Sequence, residues 1–308
     1  MKHSQKNLTS DIKRVGNFVD SNLQNPWGVV NKDDNIFWVA NNATSLITQY
    51  NKEGKSTTVQ QISVTGESPT GLSLNKELFY FNSKLVSLIC VTKNGTIDVW
   101  DSSMGLKTTI AYQSCNSCYT GLTILKNLLF VCDFSQGKID VFDSKFKFIE
   151  SFKNDELLMN GYAPYNIINQ SNKLYICYAK QNALKNDISP GDGNGYIDVM
   201  NSKGVVIQRL VNRGYLNSPW GMITAKIKYR SNEKKVLIVS NSGDGTILIY
   251  NRKTGVLIHT LQDCDSNNIK IDNLKSLLKI KTSKNYKIYF TAGINDNMNG
   301  LFGVINKI

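Results

Sequence analysis

One pattern recurs along the chain and limits its fold more than any other feature. A turn containing Gly leads into a short run of alternating apolar and polar residues, which closes on Asp or Asn. The clear copies are NGTIDVWDSSMG from Asn94, QGKIDVFDSKFK from Gln136, NGYIDVMNSKG from Asn194 and GTILIYNRKTG from Gly245. Weaker ones are ATSLITQYNKEG from Ala43 and NGLFGVINKI at the end of the chain. Period-two alternation bounded by turn residues reads as a hairpin strand. Aligned on the closing residue (Asn51, Asp101, Asp143, Asn201, Asn251, Asn306), the copies stand roughly 40 to 60 residues apart, so a repeat architecture comes first.

Each copy follows an apolar run: FWVAN from Phe37, LICVT from Leu88, LFVCD from Leu129, LYICY from Leu174, LIVSN from Leu237 and IYFTAG from Ile288. Ahead of these lies another short strand, opening as PWGVV, PTGLSL, YTGLTI, APYNII or PWGMI in the first five units. Behind the hairpin strand comes a fourth, such as STTVQQI, FKFIESF, VVIQRLV or VLIHTLQ. Four strands per unit, repeated six times with no competing helical segment, predict an all-β fold: a six-bladed β-propeller with four-stranded blades, forming one domain over 1–308. The sixth unit stops after its third strand. An N-terminal strand is therefore expected to close the ring, and IKRVGNFVD from Ile12 is the segment expected to supply it, with 1–10 a flexible arm.

The alignment also tells turn chemistry from site chemistry. SNSGDGTILIY resembles a phosphate or calcium loop, but it lacks the Lys-Ser/Thr of a P-loop and the alternating acids of an EF-hand, and it aligns with the plain turns KNGT, SQGK and GNGY. Cys90, Cys132 and Cys177 fall on what reads as one tight packing position, filled elsewhere by Ala40, Ser240 and Ala292. Cys115 and Cys118 form a lone CxxC that reads as a blade-connecting loop, and all six cysteines are expected to be free thiols. With only His3 and His259, a histidine-assisted nucleophile or a histidine-rich metal centre is not expected. No signal-peptide core opens the chain and no run of about 18 apolar residues occurs, so the expected location is cytoplasmic or virion-associated, without a transmembrane segment.

In a propeller, the blade-connecting loops share one face with the loops between second and third strands, and that face usually takes the ligand. The pattern places Trp27, Asn41, Asp133, Tyr165, Asn166, Tyr178, Lys180, Trp220, Asn241, Asn295 and Asp296 there as candidate ligand-binding residues. Asn41, Asp133 and Asn241 are the candidates for holding Ca²⁺ or Mg²⁺ in the central channel, since both ions prefer carboxylate and amide oxygens. Asn and Asp are equally the residues that tight turns prefer. One loop is much longer than its equivalents: AKQNALKNDISPGDGNG, Ala179 to Gly195, is expected to lie over the channel mouth. The opposite face collects Lys226, Lys228, Arg230, Lys234, Lys235, Lys284 and Lys287, and the chain carries a formal charge of +12. A polyanion such as nucleic acid could dock there, or the charge is simply a solvated lysine surface.

With those segments on the page, the chain resembles a family of mostly bacterial six-bladed propeller proteins, loosely related to NHL-repeat and gluconolactonase-like propellers. The resemblance runs from Asn25 to Ile305 and is carried by NPWGVV, SPTGL, DFSQGKIDVFD, GYAPYNI, YAKQN, GDGNGYIDV, LNSPWGM, NSGDGTI and AGINDNMNGLFG. It implies a fold. It does not transfer lactonase activity, because gluconolactonase-like sites use a Glu near the start of the first blade, where NPWGVV stands. A second departure is Lys275-Ser276, where the family tends to have Trp-Gly. The leading expectation is a non-enzymatic binding scaffold, monomeric unless part of an assembly, with a small ligand or peptide on the loop face or a polyanion or assembly partner on the basic face. Two alternatives stand beside it: a metal-dependent, lactonase-like hydrolase with a divalent cation at the channel mouth, and a nucleic-acid-associated structural component of a viral particle.

Overall fold

A computed structural model describes residues 2–33, 35–57, 61–75, 78–229, 232–283 and 285–307. Six antiparallel sheets surround a central channel as a β-propeller. In the first five blades the strands run outward in chain order, as in Pro26–Asp33, Ile36–Asn41, Leu46–Tyr50 and Ile62–Ser63 of blade 1. The inner strands are Pro26–Asp33, Pro69–Leu74, Tyr119–Leu125, Tyr162–Gln170, Pro219–Tyr229 and Leu274–Lys281, and each contacts the next in an unbroken cycle. Between neighbouring blades the sheets bury apolar residues such as Phe37, Phe130, Phe142, Leu237 and Phe290. This face-to-face burial drives the assembly, because a single blade cannot cover both of its sides.

The ring closes with an N-terminal strand, but not the expected segment. His3–Ser10 pairs antiparallel with Leu301–Lys307, from His3 opposite Lys307 to Ser10 opposite Leu301. Phe18–Val19, from the segment expected to close the ring, only adds a short parallel ladder outside it, against Thr9 and Ser10. The flexible arm is thus corrected to a closing strand. Its polar sequence, HSQKNLTS, hid it, since the outermost strand of a blade needs few apolar residues. Leu8 carries the burial, packing with Phe37, Tyr50 and Phe302.

Three third strands carry a buried Asp at one repeat position, and each fastens its own blade. Asp98 accepts from Thr96, Thr108 and the Gly66 amide; Asp140 accepts from Tyr119 and Ser151; Asp198 accepts from Arg209 and Asn154. The cysteine alignment needs a one-residue correction. Strand pairing sets Pro69 against Thr92, Tyr119 against Asp133 and Pro164 against Tyr178, so Cys132 and Cys177 match each other while Cys90 lies one position away, on the other side of its sheet. All three thiols are buried, and burial pushes their pKa values up.

Candidate functional site

Every blade shows a pairing irregularity at the same place, where its inner strand starts at the loop face. The register breaks between Pro26 and Val29, Tyr119 and Gly121, Pro164 and Asn166, Pro219 and Met222, and Leu274 and Leu277, and in blade 2 opposite Pro69–Leu72. A bulge re-aims a side chain. The residues at this point are Trp27, Thr70, Thr120, Tyr165, Trp220 and Lys275, one from each blade. Small residues follow in most blades because the inner strands approach too closely for a Cβ: one on Gly221 would lie 2.4 Å from the Lys275 carbonyl, and one on Gly28 would lie 2.6 Å from that of Thr70. Asn166 breaks that rule, and its amide donates to the Trp220 carbonyl at 2.9 Å.

The aromatic members of this ring plug the channel. Trp27 meets Trp220 edge-on at 5.9 Å and Tyr165 at 5.8 Å, and Phe134 backs Tyr165 at 5.0 Å. The Trp27 indole donates to Asn25 and the Trp220 indole to the Thr120 carbonyl. Lys275, only 2% exposed, completes the ring with its Nζ 4.7 Å from the centre of the Trp27 ring and 5.9 Å from that of Tyr165. Among the described residues that amine makes no hydrogen bond and no ion pair. Burial lowers its pKa to about 7, against an upward pull from Asp187 and a further downward push from Lys93. Beneath the plug lies a cavity of about 220 Å³ with apolar walls that include Val29, Leu72, Leu122, Met222 and Leu277.

Above the plug is a pocket of about 290 Å³ lined by Asn25, Trp27, Lys93, Asp187, Ile188, Pro190, Asn273, Lys275, Asp296 and Asn297. The long loop of blade 4 does reach it. Asp187 at the loop tip pairs with Lys93 of blade 2 at 3.4 Å, and Lys93 in turn sits 5.2 Å over the Trp27 ring. Gln181 anchors the start of the loop by donating to the Phe134 carbonyl at 2.6 Å. Asn25 and Asn273 hold left-handed backbone just before their inner strands, with φ of 45° each, so part of their role is to turn the chain.

The structure gathers Trp27, Tyr165, Trp220 and Asp296 of the expected residues around the mouth. It sends others elsewhere. Asn41, Asp133 and Asn241 occupy equivalent ends of second strands, and each serves its own blade. Asn41 donates to Thr48, Asp133 accepts from the Cys118 and Gln136 amides, and Asn241 accepts from the Asn217 amide and donates to the Tyr215 carbonyl. Burial raises the pKa of Asp133, against the pull of those amides. Each residue is tied into its own blade, although Asn41 Oδ1 and Asp133 Oδ2 are buried without a hydrogen-bond partner. Among the described residues no cluster of three or more His, Cys, Asp or Glu side chains is arranged to hold a metal. Tyr178 is buried between blades 3 and 4, Lys180 lies over the Tyr162 ring, and Asn295 bonds Asp272 and Asn299 at the surface.

Three charged residues of the mouth escaped sequence reasoning: Lys93, Asp187 and, as a positive contributor, Lys275. The repeat held a signal for the last, since a lone Lys among Trp27, Thr70, Thr120, Tyr165 and Trp220 is an anomaly at a position that faces the axis. On the opposite face, Lys226, Lys228, Lys235 and Lys287 are exposed and Lys234 half-buried, all in blades 5 and 6, while Arg230 and Lys284 lie outside the described residues. No helix among the described residues is long and apolar enough to cross a membrane.

Comparison with known proteins agrees with this architecture. No family profile matches the chain. Among solved structures, virginiamycin B lyase from Staphylococcus aureus aligns over 100% of the chain and 99% of its own with a TM-score of 0.56 at 13% identity. A Bacteroides thetaiotaomicron protein of unknown function aligns over 99% of this chain and 77% of its own, with a TM-score of 0.59 at 11% identity. Likeness at that level shows the fold alone. Two mimivirus proteins are nearer: "Uncharacterized protein R648" of Acanthamoeba polyphaga mimivirus is 30% identical over 97% of this chain and 79% of its own length. "Uncharacterized protein L690" of the same virus is 31% identical over 97% and 84%. These relatives are viral, where the sequence resemblance pointed to a mostly bacterial group. The chain belongs to the family of six-bladed β-propellers that includes mimivirus R648 and L690.

Proposed function

We propose that this protein is a non-enzymatic binding module that takes a small molecule at the loop-face mouth of its channel. The observation that carries the reading is the 290 Å³ pocket floored by Trp27 and Lys275 and walled by the tip of the one long loop. Its volume suits a small metabolite, and it combines apolar contact with a few convergent polar groups, as ligand sites do. Both identified histidines sit in outer strands, His3 in the closing strand and His259 in Leu257–Thr260, away from the mouth. A thermal-shift screen of carboxylates, amines, sugars and nucleotides, run on wild type, Lys275→Met and Ile188→Trp, tests it. Compounds that stabilise wild type and fail on the variants are expected. Hits that stabilise all three proteins alike, or saturable metal-dependent hydrolysis of a lactone abolished by chelator, would replace the reading with another.

A second reading has its own observation. On the opposite face, the long hairpin of blade 5 stands between two basic grooves. One, of about 590 Å³, is lined by Lys173, Lys234, Lys235, Arg252 and Lys253 among others; the second, of about 380 Å³, by Lys226, Lys279 and Lys281. Cations crowd there enough that burial, Lys281 and Arg252 all lower the Lys279 pKa. A polyanion on this face should dissociate steeply with added salt. Binding to a short duplex that does not weaken between 50 and 200 mM salt, roughly the range over which phosphate contacts show themselves, would remove this reading.

A further inference from the structure

The mouth contains a charge without a counterpart. Lys275 is 2% exposed, lines the pocket, and has no hydrogen-bond or ion-pair partner among the described residues. Its surroundings are named by the elements that pack against it. Trp27 and Tyr165 present rings from the inner strands of blades 1 and 4. Lys93 comes from the end of a second strand in blade 2, Asp187 from the long loop, Asp272 from the loop before its own strand, and Asp296 from the loop after Tyr286–Ala292. Asp187 is already held by Lys93 at 3.4 Å, and Asp296 is exposed. A buried ammonium without a partner is costly. It is relieved by losing its proton or by gaining an anion.

We propose that the channel-mouth pocket binds a small organic carboxylate, its negative charge held by Lys275 with Lys93 at the rim, and its organic part against Ile188 and Pro190. This rests on the small-molecule reading of the same pocket. The arrangement argues for a monoanionic head: of the two lysines and two aspartates that line the pocket, Lys93 and Asp187 are closed on each other and Asp296 is exposed to solvent, which leaves the buried Lys275 amine facing the space. A phosphate dianion would ask for more donors than one buried amine and a rim lysine already in an ion pair. Asn273 and Asn297 add polar groups to the walls, while the Asn25 amide is held by Trp27 and Asn42. Because the amine sits near neutrality in the free protein, carboxylate binding should draw a proton from solution.

The test uses the full-length protein with propionate, benzoate and succinate, each beside its amide, in calorimetry at pH 6 to 9 and in buffers of differing ionisation enthalpy. The expected result is that the acids bind and the amides do not. Affinity should fall toward tenfold per pH unit above the amine's titration point, and protons should be taken up on binding at pH 8. Lys275→Met should lose at least tenfold in affinity while melting no lower than wild type, which separates lost binding from lost fold. Lys93→Met should lose less. Amides binding as well as acids, or Lys275→Met retaining wild-type affinity, overturns the carboxylate assignment and leaves the small-molecule reading standing. If the acids fail while a neutral or cationic compound stabilises the protein through Lys275 and Ile188 in the wider screen, the assignment also falls alone. If that screen yields nothing, both fall.

Discussion

The two faces of the disc use lysine in opposite ways. On the hairpin face, Lys226 and Lys228 are solvated, and the Lys226–Glu233 pair at 2.9 Å joins side chains that are each about 60% exposed. Such pairs contribute about 0–1 kcal/mol. At the mouth, Lys275 is buried against indole and phenol rings, and its pKa falls to about 7. The side chain is the same, and what differs is the solvent around it. A formal charge of +12 therefore says little about a partner, since the one lysine that most constrains chemistry adds a fraction of a unit near neutral pH.

Perturbations sharpen this contrast in order of size. Removing residues 1–20 takes away the strand paired with Leu301–Lys307 and opens the ring, damaging both faces together. The expected outcome is loss of the cooperative melt and rapid limited proteolysis, and a sharp transition in the truncated chain would show that closure is dispensable. Trp27→Ala attacks the mouth alone. It removes a ring packed against Trp220, Tyr165 and both lysines, so about 3–5 kcal/mol of stability should be lost in denaturant titration.

Lys275→Met should do the reverse and stabilise the protein at pH 7. The native state holds the amine near pKa 7 and the unfolded chain near 10.5. Between those values the unfolded chain binds more protons, so unfolding free energy rises with pH. The advantage of the variant is therefore full below pH 7, shrinks as pH climbs, and is gone near pH 10. A shift of more than one unit corresponds to a few kcal/mol at its fullest, and melting curves across this range check it. A variant that melts in parallel with wild type at every pH would show that the amine is better solvated than its burial implies. Lys226→Ala closes the series, with an expected change within about 0.5 kcal/mol in urea titration and none in ligand binding at the mouth.

Part of the site was legible in the chain and part was not. The inner-strand openings PWG, PTG, YTG, APYN and PWG show that Trp27, Tyr165 and Trp220 share one position. That position faces the axis because a bulge recurs there, which alternation alone does not disclose. Asn41, Asp133 and Asn241 were equally visible as a repeated polar position. Each turned out to be tied into its own blade, Asp133 and Asn241 by accepting from loop amides and Asn41 by donating to Thr48, and such commitments are not written in spacing. His3–Ser10 was missed as a strand because its partner, Leu301–Lys307, is almost three hundred residues away.

The repeat by itself determined the number of blades, the four strands of each and the need for an N-terminal strand, because strand periodicity and turn chemistry are local and each copy checks the others. It also singled out the long loop from Ala179 to Gly195 by length alone. Only the tertiary structure decided which N-terminal segment closes the ring, that Asp187 on that loop meets Lys93 from another blade, and that Lys275 lies buried without a partner. Those outcomes depend on groups distant in the chain meeting at the axis. Burial there sets the cost of a charge, and burial follows from closing the ring.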